Sequence, residues 1–175
     1  MAKELEPKIL ALNPGTRYLG VAFFSGPELR DWGVKVFKGK FSQEKLSKIL
    51  SWILRVVRDY QAEILALKAL HPSRASQGLK DLVKSIRELA KREKLKLYQY
   101  SIEELKTSFL KGKGEKAKRG NKRELARTIA SFYPHLFLEL EKERKNKNPY
   151  HLKMFEAVAL GTLCLRAIEG RKDDH

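Results

Sequence analysis

The chain has 175 residues, of which 42% are hydrophobic, and this is enough for one domain with a buried core. It carries 37 Lys and Arg against 21 Asp and Glu, and a net charge of +16 favours a polyanionic partner such as nucleic acid. No run approaches the roughly 18 apolar residues of a membrane span. A single cysteine, Cys164, excludes an intrachain disulfide and a cysteine-based zinc site. We expect one cytoplasmic domain over residues 1–175, without a membrane partner and without a signal peptide.

The first predicted elements are three consecutive strands over residues 8–14, 17–25 and 28–37, joined by turns that contain Pro and Gly. Ser42 is a typical helix N-cap, and the apolar residues that follow recur at helical spacing as far as Val57. This order predicts a meander of antiparallel strands followed by a helix that lies on a core.

The next elements alternate between strand and helix. Residues 63–70 form an apolar run of the kind found in a central strand buried on both faces. Helices are predicted over 75–93 and 102–110, with a fifth strand over 95–100 between them. Ser101 and Glu104 form the capping box of the second of these helices. A mixed sheet covered by helices, and therefore an α/β domain, is the expected result.

The basic segment 111–123 has seven positive residues, three glycines and one acid. It is typical of a mobile loop, and it is either a nucleic-acid clamp or a solvated run of charge; the sign of the whole chain favours the clamp. A helix is predicted over 121–132. Residues 134–148 are ambiguous, and a last helix is predicted over about 150–169.

Four segments in this order resemble the RuvC-type Holliday-junction resolvases of the ribonuclease-H-like superfamily. They are Leu-Ala-Leu-Asn-Pro-Gly-Thr-Arg-Tyr-Leu-Gly-Val-Ala at 10–22, Ile-Leu-Ala-Leu-Lys-Ala-Leu-His at 64–71, Ser-Ile-Glu-Glu-Leu-Lys-Thr with the following basic segment at 101–123, and Lys-Met-Phe-Glu-Ala-Val-Ala-Leu at 153–160. The resemblance implies a mixed five-stranded sheet flanked by helices, a DNA ligand and a homodimer.

The resemblance also assigns the family's active-site positions. The acid of the first strand falls on Asn13, the acid of the central strand on Lys68, and the last-helix pair on Lys153 and Glu156. In the family these groups hold two Mg²⁺ ions, which require several negative oxygen ligands. Together the four residues of this chain have a formal charge of +1. We therefore expect no cofactor, unless an active nuclease requires Mg²⁺ at a rearranged site.

The predicted function is the binding of branched or duplex DNA, favoured over RNA, by a protein that has lost most of the catalytic acids. The ammonium groups of Lys68 and Lys153 would hold a backbone phosphate, although an inert ion pair with Glu156 is an equally open interpretation. One alternative is an active junction endonuclease in which Glu63, Asp31 or Glu103 joins Glu156. Another is a scaffolding subunit that binds a protein partner in the old cleft.

Candidate nucleic-acid contacts lie in two groups. Arg17, His71 and Arg74 are expected at the rim of the site, where His71 either stacks on a base or simply ends a strand, the second interpretation being favoured. The second group consists of the basic residues of the 111–123 segment, which are Lys111, Lys113, Lys116, Lys118, Arg119, Lys122 and Arg123.

Overall fold

The computed structural model describes residues 6–110, 121–145 and 151–173. Five strands form one sheet: β1 (Lys8–Asn13), β2 (Tyr18–Ser25), β3 (Glu28–Val36), β4 (Ile64–Lys68) and β5 (Lys96–Tyr100). The described residues also form six α-helices and one short 3₁₀ helix, Pro134–Leu136. The α-helices are α1 (Gln43–Tyr60), α2 (Gln77–Arg92), α3 (Ile102–Phe109), α4 (Lys122–Phe132), α5 (Phe137–Lys145) and α6 (Leu152–Asp173).

The sheet is mixed and has the strand order β3-β2-β1-β4-β5. The meander β1–β2–β3 is antiparallel, whereas β4 runs parallel to β1 and β5 runs parallel to β4. Parallel neighbours need a crossover connection, which α1 and α2 supply. The predicted α/β fold with a mixed five-stranded sheet is thus confirmed.

Both faces of the sheet are buried, which explains why residues 9–12 of β1 and 64–67 of β4 are all apolar. Leu10, Leu12, Leu65 and Leu67 pack with α1 and α2, and we call this side the α1–α2 face. The opposite side, the α6 face, carries small residues where α6 crosses it: Ala11, Ala22 and Ala66. On β1 and β4 these alanines alternate with the leucines, as the period of two of a β-strand requires.

Glycines let α6 lie unusually close to the sheet. A side chain at Gly20 of β2 would overlap the carbonyl group of Lys153, and one at Gly161 of α6 would overlap the ring of Phe24. The close approach places the first turn of α6 directly beside the ends of β1 and β2.

Most element boundaries follow the sequence signals. Ser42 accepts a hydrogen bond from the backbone N–H of Lys45 at 3.1 Å, and the predicted capping box of Ser101 and Glu104 is present. Three expectations were imprecise: β4 ends at Lys68 instead of residue 70, α2 begins at Gln77 after the cap Ser76, and α6 covers 152–173 instead of 150–169. The segment left ambiguous contains α5.

Cys164 is fully buried, as expected for a small apolar side chain in the last helix. None of the helices in the described ranges combines the length and the apolar character that crossing a lipid bilayer requires.

Candidate functional site

The four residues that the sequence resemblance assigns to active-site positions meet at one edge of the sheet. Asn13 ends β1 and Lys68 ends β4, and these neighbouring strands are parallel, so both side chains reach the same edge. Lys153 and Glu156 lie one turn apart near the start of α6, which crosses this edge. Residues 140 positions apart in sequence therefore contact each other: Nδ2 of Asn13 donates a hydrogen bond to the backbone carbonyl of Lys153 at 3.3 Å.

Glu156 is the centre of this cluster, and its side chain is 3% exposed. One carboxylate oxygen, Oε2, accepts a hydrogen bond of 2.5 Å from Nδ2 of Asn13. The other, Oε1, lies 3.1 Å from Nζ of Lys68 and 3.3 Å from Nζ of Lys122, the first residue of α4. Both oxygens are thus occupied by donors from β1, β4 and α4, and the carboxylate ties α6 to three other elements.

Lys153 is half-buried beside this cluster. Its Nζ occupies space that the absence of a side chain at Gly15 leaves open, since a Cβ at Gly15 would lie 2.6 Å from it. Among the described residues, no carboxylate forms an ion pair with Lys153, whereas Lys68 and Lys122 both pair with Glu156. Three ammonium groups therefore surround one carboxylate, and the cluster has a surplus of positive charge.

The pKa of Glu156 and those of Lys68 and Lys153 are all lowered in the folded protein. Burial alone would raise the pKa of Glu156, but the charges of Lys68 and Lys122 and their hydrogen bonds outweigh it and hold this pKa below its usual value. The pKa of Lys68 and that of Lys153 are lowered mainly by burial, with further repulsion from the neighbouring lysines, and attraction to Glu156 only partly compensates. A bound anion would relieve this repulsion.

A cleft of about 550 Å³ opens above the cluster. Its walls are the ends of β1 and β4, the 69–75 turn, the start of α2 and the first turns of α3, α4 and α6. Five cationic side chains line it against one acid, Glu103; they are Lys68, Arg74, Lys106, Lys122 and Lys153. The cleft is therefore an open, strongly positive groove whose floor is the Glu156 cluster.

The structure separates the predicted nucleic-acid contacts into three sets. His71, Arg74 and Lys122 line the cleft, and the Nδ1 atom of His71 accepts a hydrogen bond from the backbone N–H of Ser73 at 3.2 Å. Arg17 and Arg123 are exposed and do not line it; the Arg17 guanidinium lies over the Tyr18 ring. The remaining five, Lys111, Lys113, Lys116, Lys118 and Arg119, lie outside the described residues.

The alternative carboxylates are mostly far from Glu156. Glu63 comes directly before β4, whereas Lys68 is the last residue of that strand. Five residues of strand place Glu63 and Lys68 about 16 Å apart. Asp31 lies on β3 in register with Phe23, which pairs with Leu10 instead of Asn13, and it accepts a hydrogen bond from the Tyr60 hydroxyl. Only Glu103 shares the cleft. Within the described ranges, no three His, Cys, Asp or Glu residues are grouped as a metal site requires.

The donor set at the cluster does not fit Mg²⁺. A dication of this kind is bound by negative oxygen ligands in octahedral geometry. Here the Asn13 amide presents its nitrogen to Glu156, both carboxylate oxygens are engaged, and Lys68 and Lys153 place positive charge at positions where the family has acids. The chemistry that these residues support is the binding of an anion.

Two features of the site were not anticipated. Lys106 of α3 lines the cleft, and the capping box at Ser101 was the available signal, because it places the start of α3 at the end of β5 and so at this edge. Lys122 was expected as an outer contact, yet it pairs with the buried Glu156. No local sequence pattern connects residues 34 positions apart, so this ion pair can be identified only from the three-dimensional structure.

Three solved structures with a similar fold are two of RuvC and one of a virus resolvase. A Thermus thermophilus RuvC in complex with a Holliday junction substrate has a TM-score of 0.67 at 15% identity, with 94% of this chain and 96% of that chain covered. A second Thermus thermophilus RuvC structure also gives 0.67, at 17% identity over 93% and 96%. The complex of the Fowlpox virus resolvase with its substrate Holliday junction DNA gives 0.55, at 13% identity over 92% and 98%.

No family model matches the sequence, and the search of curated proteins gave no match either. At these identities the likeness establishes the fold: the chain has a RuvC-like, ribonuclease-H-like fold over most of its length, as the sequence resemblance predicted.

Proposed function

We propose that this protein binds DNA, branched or duplex, in the cationic cleft and does not cleave it by the two-metal route of the family. The observation that carries the proposal is the pairing of Lys68 and Lys122 with the single carboxylate of Glu156 at the edge of the sheet, beside Lys153, which has no ion pair among the described residues. The surplus of positive charge at that point is matched by a phosphodiester backbone, whose oxygens accept hydrogen bonds from ammonium groups.

The shape and charge of the cleft support a polymeric ligand. Arg74 and Lys106 stand on different walls of the cleft, so that a strand passing through it meets cations in succession. Arg17 and Arg123, which are exposed, add positive charge outside the cleft. In contrast, a scaffolding subunit that binds a protein partner has no need for five cations around one acid.

The absence of cleavage is proposed from the donor set and is part of the same hypothesis. An active junction endonuclease would need further carboxylates beside Glu156, and of the three considered only Glu103 lies in the cleft. A DNA ligand also implies an intracellular protein, in the cytoplasm, and a two-fold junction would suit a homodimer; both remain part of the proposal.

The test is a fluorescence-anisotropy titration of a four-way junction, a matched duplex and a single strand, at two salt concentrations and with EDTA, Mg²⁺ or Mn²⁺. Products are followed on a denaturing gel. We expect binding that weakens steeply with salt, because each phosphate contact releases counterions, and intact DNA with every metal. Metal-dependent cleavage would reject the pseudo-nuclease proposal and support the endonuclease alternative.

Matched variants separate the cleft from overall charge. Arg74→Ala/Lys106→Ala removes two cations from the cleft, and Lys84→Ala/Arg87→Ala removes two from α2, where both residues lie by a different pocket. The first variant should reduce the slope of log affinity against log salt by about two units, and the second should leave it near that of the unmodified protein. Equal effects, or salt-insensitive binding by all three proteins, would favour the scaffolding alternative.

A further inference from the structure

The lysines of the cleft are not equivalent. Lys68 and Lys122 are held on Oε1 of Glu156 at 3.1 and 3.3 Å. Among the described residues, Lys153 has no such carboxylate partner, although it lines the same cleft. Among the described residues, a ligand in the cleft can therefore reach the amines of Lys153 and Lys106 without first breaking an ion pair, and of these two Lys153 is the one on α6, one turn before Glu156.

The surroundings of Lys153 are those of a nucleophilic amine. A lysine attacks a carbonyl carbon only as the neutral amine, and desolvation beside other cations is the usual means of producing that form. Lys153 is half-buried next to Gly15 and close to two further ammonium groups. Burial, with repulsion from Lys68 and Lys122, lowers its pKa, in agreement with this geometry.

We propose that Lys153 forms an imine with the aldehyde of an abasic site in DNA. An abasic deoxyribose opens to a C1′ aldehyde within an otherwise intact sugar–phosphate backbone, so the phosphates on either side provide the charge that the cleft binds. The inference rests on the proposed DNA binding and adds a covalent step to the same cleft.

The step balances without a further reactant. The neutral Nζ of Lys153 attacks C1′, forming an N–C bond, and a proton passes from nitrogen to the former carbonyl oxygen to give a carbinolamine. With one more proton, this hydroxyl leaves as water and the C1′=Nζ bond is completed as a protonated imine. Overall, one ammonium and one aldehyde give one iminium and one water, so the net charge of the cluster is unchanged.

Reductive trapping tests the proposal. The protein is incubated with a duplex that carries one natural abasic site, sodium cyanoborohydride reduces any imine, and the covalent adduct is measured on a denaturing gel and located by peptide mass spectrometry. We expect the adduct on Lys153 in the unmodified protein, loss of at least about tenfold in Lys153→Arg, which is charged but unable to form the imine, and no change in the surface control Lys84→Ala.

Two further measurements identify the cause of each result. A duplex with a tetrahydrofuran abasic analogue has no aldehyde, and its titration reports binding alone. If the analogue binds and no adduct forms, or if adducts spread over surface lysines and persist in Lys153→Arg, the imine is rejected while DNA binding stands. If neither duplex binds, the proposed function itself fails. Labelling of Lys153 by free deoxyribose 5-phosphate at equal efficiency would reject DNA as the source of the aldehyde.

Should Lys153→Arg fail to fold, which its melting curve would reveal, the peptide map of the unmodified protein still decides. Modification of Lys153 in preference to Lys68, Lys106 and Lys122 supports the proposal, and its absence from the map overturns it.

Discussion

The two faces of the sheet are built from the same strands but have different roles. On the α1–α2 face, Leu10, Leu12, Leu65 and Leu67 fill the space between sheet and helices with large side chains. On the α6 face, Ala11, Ala22 and Ala66, with Gly20 and Gly161, let a helix backbone lie against the sheet. The first face provides stability by bulk. The second uses close approach to place Glu156 and Lys153 within reach of the strand ends, so a charged cluster depends on small residues.

The largest expected effect on stability comes from removing the negative charge of Glu156, which α6 places at the edge of the sheet. Glu156→Gln leaves Lys68, Lys122 and Lys153 without their anion, and loss of one partner from a buried pair costs about 3–5 kcal/mol of unfolding free energy. Glu93→Gln, which breaks the more exposed pair with Arg58, is the matched control and should cost less than about 1 kcal/mol. Urea denaturation measures both, and equal costs would contradict the central role of Glu156.

Removing a large side chain from the α1–α2 face tests how much that face contributes to stability. Leu65→Ala creates a cavity at a fully buried position of β4 and should lower the free energy of unfolding by about 2–5 kcal/mol. Leu65 packs toward α1 and α2 within β4, three residues before the strand end at Lys68 that lines the cleft, so DNA affinity of the folded variant should not change. Weakened DNA binding at temperatures where the variant is fully folded would show that the two faces are not independent.

Adding bulk to the α6 face should also destabilise the protein, by a smaller amount. The methyl group of Gly20→Ala meets the backbone carbonyl of Lys153, and overpacking of this kind costs about 1–3 kcal/mol. Gly33→Ala in β3 meets nothing within 4 Å and is the control. It should be neutral or raise the unfolding free energy by up to about 1 kcal/mol, because alanine restricts the unfolded chain. Opposite signs in thermal melts are the expected result.

The smallest predicted effect is a dependence of stability on pH. The pKa of Lys68 and that of Lys153 are lower in the folded protein, so between those values and the ordinary 10.5 the unfolded chain binds more protons and stability rises with pH. Glu156 affects stability at low pH. Its contribution to the free energy of unfolding is complete above the ordinary pKa of 4.5, and it is lost as pH falls through the lower pKa of the folded protein. Denaturation of Lys153→Met and of the control Lys84→Met from pH 8 to 10.5 measures the first effect, which only Lys153→Met should diminish.

The sequence specified the fold well because its signals are local or repeated. The apolar strand 64–68, the caps at Ser42 and Ser101 and the Pro-Gly turn each define an element from neighbouring residues. The meeting of Asn13 with Glu156 was expected only through the family resemblance, since nothing in either segment identifies the other. Lys122 shows the remaining limit: its pairing with Glu156 depends on where α4 begins relative to α6, and that is a property of packing.

The position of Lys122 has a consequence for how the chain responds to a ligand. This residue lies near the end of the basic segment 111–123 and also pairs with the buried carboxylate of Glu156. A phosphate that draws the Lys122 ammonium away changes the charge balance at Glu156, and by thermodynamic reciprocity a change of charge at Glu156 must alter how strongly Lys122 holds that phosphate. Lys122 and the buried acid therefore form one coupled system, in which a change at either one alters the other.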